Sequence, residues 1–404
     1  MARRHVLRPG DWESVALRLD EIISAHTGED PFDEAFKLLV ACLAHEVDPS
    51  GAEPFLARHP GESAIAEVNR LLRLAFERWP GILSPSATTH LSAPELMRCA
   101  TALAGVRLLD KDLVGLDAIF EFIVSQAKKG QKGQFFTPRH VIAAIVDMVR
   151  PQAGECVADP ACGSGGFLHH ALRYQPRCSV WGFDQDSRAS RVARVMLAAS
   201  GEDASRITRL DSLRRPSRDS SPDTYSCIEH SMLHRYPQFK GFDLIITNPP
   251  FAGDVGEEYS KHYQLAQSRR VERDVLFIER CVELLKPQGR LAMVLPYNKM
   301  GGQHWGYMRK WLMARMSLVA VLALGRHTFQ PHTSQKACVL IGIKRTMPVS
   351  RFDDDEILFF ISDREGKDPR GRLLLGPDGC SVAHDLPEAT PLVQARFDRL
   401  QALV

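Results

Sequence analysis

The spacing of apolar and polar positions divides the chain into two kinds of sequence. From Trp12 to about Phe122, apolar residues recur three and four apart in VALRLDEIISAH, FDEAFKLLVACLAHEV and IAEVNRLLRLAFERW, the period of helices that bury one face. Clusters of Pro, Gly and Ser separate these stretches, which predicts an all-helical N-terminal domain. Downstream, short apolar runs alternate with helical ones: ECVAD, SVWGFD, RITRL, FDLIIT, RLAMVLP, SLVAVLAL and KACVLIGIK. Apolar runs of this kind, divided by helices, suit strands of a mostly parallel sheet buried on both faces. Between the two regimes, AKKGQKGQFFTPRHV breaks one helix and starts another, with Thr137 expected as N-cap and Pro138 as first helical residue. The expected organisation is a helical domain over 1–126, an α/β domain over 127–346 and a short C-terminal region over 347–404, which holds a strand ILFFI and an acidic run DDDE read as a solvated loop.

The stretch FDLIITNPPF, Phe242 to Phe251, organises the rest. Leu244, Ile245 and Ile246 form a buried strand, and Pro249 and Pro250 lack N–H donors and must end its ladder. Asn248 therefore stands at a carboxyl end, the edge at which open α/β sheets bind ligands. The Asn side-chain carbonyl and the backbone carbonyls beside it can accept both hydrogens of a planar NH₂ group, and Phe251 can stack on its ring. Two acceptors that favour a tetrahedral nitrogen localise its lone pair for attack on an electrophile, so no strong base is required.

Two further runs carry acidic residues to the same edge. In ECVADPACGSGGFL a strand ends at Asp159 and passes into a loop with Gly163, Gly165 and Gly166, the place where a doubly wound fold holds a nucleotide-like ligand. The glycines match neither GxGxxG nor GxxxxGK[ST], and with Asp159 they suit a ligand with an amino-acid end. The next strand ends in Asp184 and Asp186, where a carboxylate can grip two ribose hydroxyls, and the third ends at Asp211, whose carboxylate can accept from an exocyclic amine. The segment between Arg214 and Lys240 reads as a surface loop with a small basic cluster, Arg214, Arg215 and Arg218. Arg269, Arg270 and Arg273 fall near the reaction edge, and Phe329 is expected to face it.

Composition narrows the class. The chain has 404 residues, 44% hydrophobic and 25% charged, which is a folded protein with ample core and more than one domain. A formal charge of +2 gives no ground for nucleic-acid binding from net charge. Nine cysteines without a CxxC pair read as reduced thiols, with no metal site among them. Neither a secretory leader nor an apolar run of membrane-spanning length is present, so a soluble, cytoplasmic protein is expected. His26, His45 and His59 are scattered and read as ordinary packing or surface histidines.

The order FFTP, DPACGSGGFL, GFDQD, DSL, NPPF, RLAMVLP and FQPHTSQKACVL, from about Asp112 to Lys344, resembles the N6-adenine DNA methyltransferases, and closely the modification subunits of type I restriction-modification systems. The resemblance implies a class I S-adenosylmethionine-dependent methyltransferase, Rossmann-like with a seven-stranded, mostly parallel sheet behind the helical domain. It implies S-adenosylmethionine as methyl donor and an adenine flipped out of double-stranded DNA. Carried over by residue, the donor-binding positions are Phe136, Thr137, Asp159, Ala161, Gly163, Gly165, Asp184, Asp211, Ser212 and Asn248. The catalytic motif is Asn248, Pro249, Pro250 and Phe251, and the substrate-binding positions are Phe251 and Phe329, to which Arg269 and Arg270 are added for their place near the reaction edge.

The stretches after Phe251 and after the last sheet strand are shorter than a recognition domain of about 100 residues. Sequence reading is therefore expected from a separate specificity subunit, with a nuclease subunit as a further partner, in a restriction-modification or related phage-defence complex. Other planar amines, the cytosine N4 or a base in RNA among them, are the alternative substrates. A non-catalytic scaffold is the alternative role, and the presence of Asp159, Asp184 and Asn248 together argues against it.

Overall fold

The structure, a computed structural model, describes residues 11–25, 30–48, 53–104, 106–109, 113–127, 136–216, 227–251, 253, 255–266, 271–331, 333–352, 356–377 and 381–402. The chain forms two compact units, one made of residues 1–131 with 187–207 and the other of 132–186 with 208–404.

The first unit is helical: α1 (Asp11–Ser24), α2 (Pro31–Val47), α3 (Ser63–Arg78), α4 (Ala93–Ala102) and α5 (Val114–Ala127). Start signals explain two of these ends. Asp30 caps α2 by accepting from Phe32 N–H at 3.1 Å, and Glu95 in the first turn of α4 accepts from Ser92 N–H at 2.7 Å, which satisfies donors a helix leaves open. A sixth helix that comes later in the chain, Ser187–Ala199, belongs to the same unit. Its Arg191 pairs with Asp33 at 2.8 Å and lies over the Phe36 ring at 4.2 Å, while Arg188 pairs with Asp30 at 2.8 Å.

The second unit carries the sheet. Its elements are α6 (Arg139–Val149), β1 (Cys156–Asp159), α7 (Gly166–Tyr174) and β2 (Ser179–Asp184). After the helix Ser187–Ala199, here α8, follow β3 (Ile207–Arg209), α9 (Ile228–Arg235), β4 (Phe242–Thr247), α10 (Glu257–Ser260), α11 (Arg273–Leu284) and β5 (Leu285–Pro296). The chain ends with α12 (Tyr297–Gly301), α13 (Gly306–Arg315), β6 (Met316–Ala323), β7 (Ala337–Lys344), β8 (Leu358–Ile361) and α14 (Leu386–Gln401). The strand order is β3-β2-β1-β4-β5-β7-β6-β8. β1 runs parallel to β2 and β4, and β4 to β5. β7 is antiparallel to both β5 and β6.

Among the described residues the sheet has eight strands, one more than expected. The additional strand is β8, which pairs in parallel with β6 at the edge, Val321 opposite Phe359 and Ala323 opposite Ile361. Its alternating pattern leaves Phe359 and Ile361 exposed, as befits an edge with one face covered. A second difference lies between Arg214 and Lys240. Part of this stretch is helix α9 rather than loop, because Ile228, Ser231 and Met232 recur at helical spacing and are buried. The core of the unit runs through Phe183, Phe242, Ile245, Ile278, Leu291 and Leu340, all fully buried.

Order reverses between β1 and β4, since β2 lies on the far side of β1 while β5 follows β4. A reversal of this kind opens a crevice beyond the carboxyl ends of the two central strands.

Candidate functional site

Asp159 closes β1 and Thr247 closes β4, so the two meet across the crevice. Thr247 Oγ1 donates to Asp159 Oδ1 at 2.6 Å, and the same oxygen accepts from Ala161 N–H at 3.0 Å. Asp159 is 1% exposed. Burial lifts its carboxyl to about 7, against the pull of the Thr247 and Ala161 hydrogen bonds, with the charge of Asp184 adding to the rise. The group is thus poised to ionise when a cation is placed beside it.

The glycine loop beyond Asp159 folds back through two left-handed residues. Gly163 and Gly165 have φ values of 53° and 90°, a region in which a side chain costs energy. The turn lets Gly163 N–H reach Asp184 Oδ2 at 2.9 Å, while Asp186 N–H holds Oδ1 at 2.8 Å. Asp184 is buried, which fixes its direction. Phe136 Cε1 is the nearest atom to the space above Gly163, at 3.9 Å from where a Cβ would stand.

Beside Asp184, the turn after β3 presents Asp211 and Ser212. Ser212 Oγ donates to Pro160 O at 2.5 Å, which joins this turn to the one after β1. Asp211 Oδ1 accepts from Leu213 N–H at 3.0 Å, and Oδ2 from Tyr259 Oη–H at 2.6 Å. Pro160, Ala161, Asp184, Gln185, Asp211, Ser212, Pro250, Arg273 and Phe277 line a small open cleft. Its walls offer the carboxylates of Asp184 and Asp211, the Ser212 hydroxyl, the Arg273 guanidinium, small apolar surfaces and one aromatic ring. The paired carboxylates suit a ligand carrying hydroxyls and an amine.

At the end of β4, the Asn248 amide is oriented by a residue more than a hundred positions away. Its Nδ2 donates to Thr137 Oγ1 at 2.9 Å, which turns Oδ1 away from Thr137. Thr137 is therefore not the helix cap expected of it. α6 begins at Arg139 with Pro138 as its N-cap, and Val141 and Ile142 N–H bond to the Pro138 carbonyl at 2.9 and 3.0 Å. The hydroxyl so released serves Asn248.

Phe251 and Phe329 meet edge to face, with centroids 6.0 Å apart and planes inclined at 72°. Both are buried. The turn that carries Phe329 after β6 is fastened by the C-terminal region. Glu365 accepts from His327 N–H, Lys367 Nζ donates to Gln330 O at 2.8 Å, and a ring nitrogen of His140 on α6 bonds to Glu365 O at 3.2 Å. Gly325 makes room for Glu365, since a Cβ there would stand 1.8 Å from its Cδ. Burial pushes His140 down to about 3, with the charge of His384 also lowering it, so it stays neutral at physiological pH.

Of the residues expected at the site, the structure brings together Phe136, Thr137, Asp159, Ala161, Gly163, Gly165, Asp184, Asp211, Ser212, Asn248, Pro250, Phe251 and Phe329 in the second unit. Arg269 and Arg270 lie outside the described residues, as do Arg218 and the lysines 128, 129 and 132.

Thr247, Arg280 and Tyr259 escape sequence reasoning. Thr247 ends an apolar run immediately before Asn248, and that position is the available signal. Arg280 is 1% exposed within the apolar helix α11, and a cation on a buried helical face needs partners. Its Nε donates to Ser212 O at 2.8 Å and Nη2 to Arg214 O at 3.1 Å. Glu229 accepts from both Nη atoms at 2.6 and 2.5 Å. The neighbouring Glu279 accepts from Gln264 and Leu265 N–H, each at 2.8 Å. α11 thus clamps both the turn that presents Asp211 and the segment that presents Tyr259.

Among the described residues, no group of three His, Cys, Asp or Glu side chains could hold a metal ion, and no helix is long and apolar enough to cross a membrane. The eight described cysteines are free, and all but Cys156 are buried.

Residues 109–372, more than half of the chain, match the family described as N-6 DNA Methylase. The chain belongs to that family. Its relatives include the EcoEI type I restriction enzyme methylase subunit of Escherichia coli, 27% identical over 246 residues that make up 56% of this chain and 46% of the relative. The EcoKI methylase subunit of Escherichia coli K12 is 28% identical over 209 residues, 48% of this chain and 37% of the relative. The chain therefore spans less than half the length of these curated relatives.

Among solved structures, the type I restriction-modification methyltransferase subunit of Streptococcus thermophilus superposes with a TM-score of 0.61 at 14% identity, covering 98% of each chain. A Listeria monocytogenes protein assigned to the class I S-adenosylmethionine-dependent methyltransferases gives 0.50 at 16% identity, covering 90% of this chain and 99% of its own. At these identities the likeness is one of fold, and the fold is that of class I methyltransferases. Family and fold together imply S-adenosylmethionine as the methyl donor.

Proposed function

We propose that this protein transfers a methyl group from S-adenosylmethionine to the N6 amine of adenine in double-stranded DNA, working as a modification subunit beside a separate specificity subunit. The observation that carries the reading is the end of β4, where Asn248 is held by Thr137 at 2.9 Å next to Phe251 and Phe329, whose rings meet at 6.0 Å. Asn248 Oδ1 and the Pro249 carbonyl accept the two hydrogens of the target amine, which concentrates its lone pair on nitrogen. Phe251 stacks on the extruded base, and Phe329 backs that ring. Stacking returns about 1 to 3 kcal/mol against an unstacking cost of a few kcal/mol.

When bound, the donor supplies an electrophilic methyl carbon. Asp184 takes the ribose hydroxyls. Asp211 and Ser212 form the adenine side, and Asp159 with Thr137, Phe136, Ala161 and the Gly163–Gly165 turn holds the amino-acid end. Asp159, whose carboxyl burial raises to about 7, ionises against the donor's ammonium. Arg269 and Arg270 are assigned to the DNA backbone. The description of these relatives as type I restriction enzyme methylase subunits supports partnership with specificity and nuclease subunits.

The test is transfer of a labelled methyl group to duplex DNA by the chain reconstituted with its genomic neighbours, with the modified base identified after digestion. Label in N6-methyladenine is the expected result. Label in cytosine or nowhere overturns the reading.

A further inference from the structure

Tyr259 comes from the stretch between Phe251 and α11, a part of the chain with no site residue assigned to it among the described positions, yet it reaches Asp211 in the wall of the cleft. The carboxylate is fixed from two directions: Leu213 N–H holds Oδ1 at 3.0 Å and the Tyr259 hydroxyl holds Oδ2 at 2.6 Å. A carboxylate oxygen can accept twice, so each retains capacity. The phenol, by contrast, has spent its only hydrogen on Asp211. Burial and the Asp211 charge raise Tyr259 above the ordinary phenol range, with Arg214, which also bonds to the hydroxyl, pulling the other way. The hydroxyl therefore stays protonated and donating, and it faces any further ligand as an acceptor alone. Asp211 and Tyr259 together form a pair of acceptors, the phenolic oxygen also accepting from Arg214, and the pair matches a group that has two hydrogens to give.

The segment is anchored where that pairing requires it. Four residues on, Tyr263 donates from its hydroxyl to Leu213 O at 2.7 Å, and Glu279 holds Gln264 and Leu265 N–H at 2.8 Å each. Tyr263 thus staples the segment to the backbone of the same turn, while Tyr259 touches its functional side chain.

Resting on the donor cleft proposed above, we propose that Tyr259 is a donor-binding residue that, with Asp211, recognises the exocyclic 6-amino group of the donor's adenine, one amine hydrogen going to Asp211 and the other to the phenolic oxygen. It selects 6-aminopurine donors over purines that lack the amine.

The test is a cycle in which the hydroxyl and the amine are removed singly and together. Binding of S-adenosylhomocysteine and of its analogue with hydrogen in place of the 6-amino group is measured by calorimetry for the full-length wild-type chain, Tyr259→Phe and Tyr263→Phe. Tyr259→Phe is expected to bind S-adenosylhomocysteine about tenfold more weakly while binding the deamino analogue within twofold of wild type. Tyr263→Phe, a loss of the staple alone, is expected to shift both ligands by the same factor. Equal shifts for both ligands in Tyr259→Phe, or no shift, or tighter binding, overturns the assignment. If the wild-type chain binds neither ligand, the donor cleft itself is wrong and the role of Tyr259 falls with it.

Discussion

Along the carboxyl edge of β1, β2 and β3, each acidic residue is tied by the backbone N–H two positions further on: Ala161 for Asp159 at 3.0 Å, Asp186 for Asp184 at 2.8 Å and Leu213 for Asp211 at 3.0 Å. Along the edge of β4 to β7, the ties are remote. Thr137 holds Asn248 across 111 positions, and Glu365 and Lys367 hold the Phe329 turn across 38 and 37. Each carboxylate of the first half thus has a local tie beside its longer-range ones to Thr247, Gly163 and Tyr259. The second half exists only once α6 and the C-terminal region have docked. Donor binding and target-base handling should therefore fail separately when one half is damaged.

The largest separation is expected at Asn248. Asn248→Ala should leave donor affinity within about twofold and cut methyl transfer roughly a hundredfold or more, the loss typical of one transition-state acceptor. Single-turnover transfer by the reconstituted complex reads it, and a wild-type rate would reduce the motif to a turn. Asp184→Ala should do the opposite. Losing its bonds to the ribose costs about 1.5 to 3 kcal/mol, a roughly ten- to hundredfold weaker donor affinity by calorimetry. Residual transfer at saturating donor should stay near wild type.

Asp159 sharpens the contrast through pH. Its folded value of about 7 stands above the usual 3.8, so the folded chain holds a proton that the unfolded chain has released between those values. Its contribution to stability is full below about pH 4 and is lost as pH rises through 7. A donor ammonium favours the ionised form, so donor affinity should rise roughly tenfold from pH 6 to 8. Asp159→Asn should flatten both the affinity profile and this part of the stability profile, and an unchanged slope would remove Asp159 from the ammonium site. The smallest effect is expected at Glu365. Glu365→Ala should loosen the Phe329 turn and raise the KM for DNA by about threefold, with donor affinity unchanged, since the cost is one hydrogen bond to a half-buried loop.

The same division decides what can be read from the sequence. Asp159, Asp184, Asp211 and Asn248 are legible because each ends an apolar run, and strand ends are marked by local chemistry. The fastening of Phe329 is not legible, because Glu365, His140 and Lys367 carry no periodic signal and act at long range. Sequence puts Thr137 at the correct edge in the wrong role, since a hydroxyl before a proline can cap a helix and only the approach of Asn248 shows that it does not. β8 reads as a strand, but its membership of the sheet depends on pairing with β6, which no short-range pattern encodes. In α9 the helical period of Ile228, Ser231 and Met232 is present, overshadowed by the polar run before it.

Arg280 has a consequence for how the protein can change. Its guanidinium grips Ser212 O, Arg214 O and the Glu229 carboxylate together, so the chain leaves this point after Arg214 and returns to it at Glu229. One guanidinium thus pins two points of the chain fifteen positions apart, and the turn that presents Asp211 is held at its far end by a tie independent of its own hydrogen bonds. Damage to Arg280 would therefore be felt at Asp211.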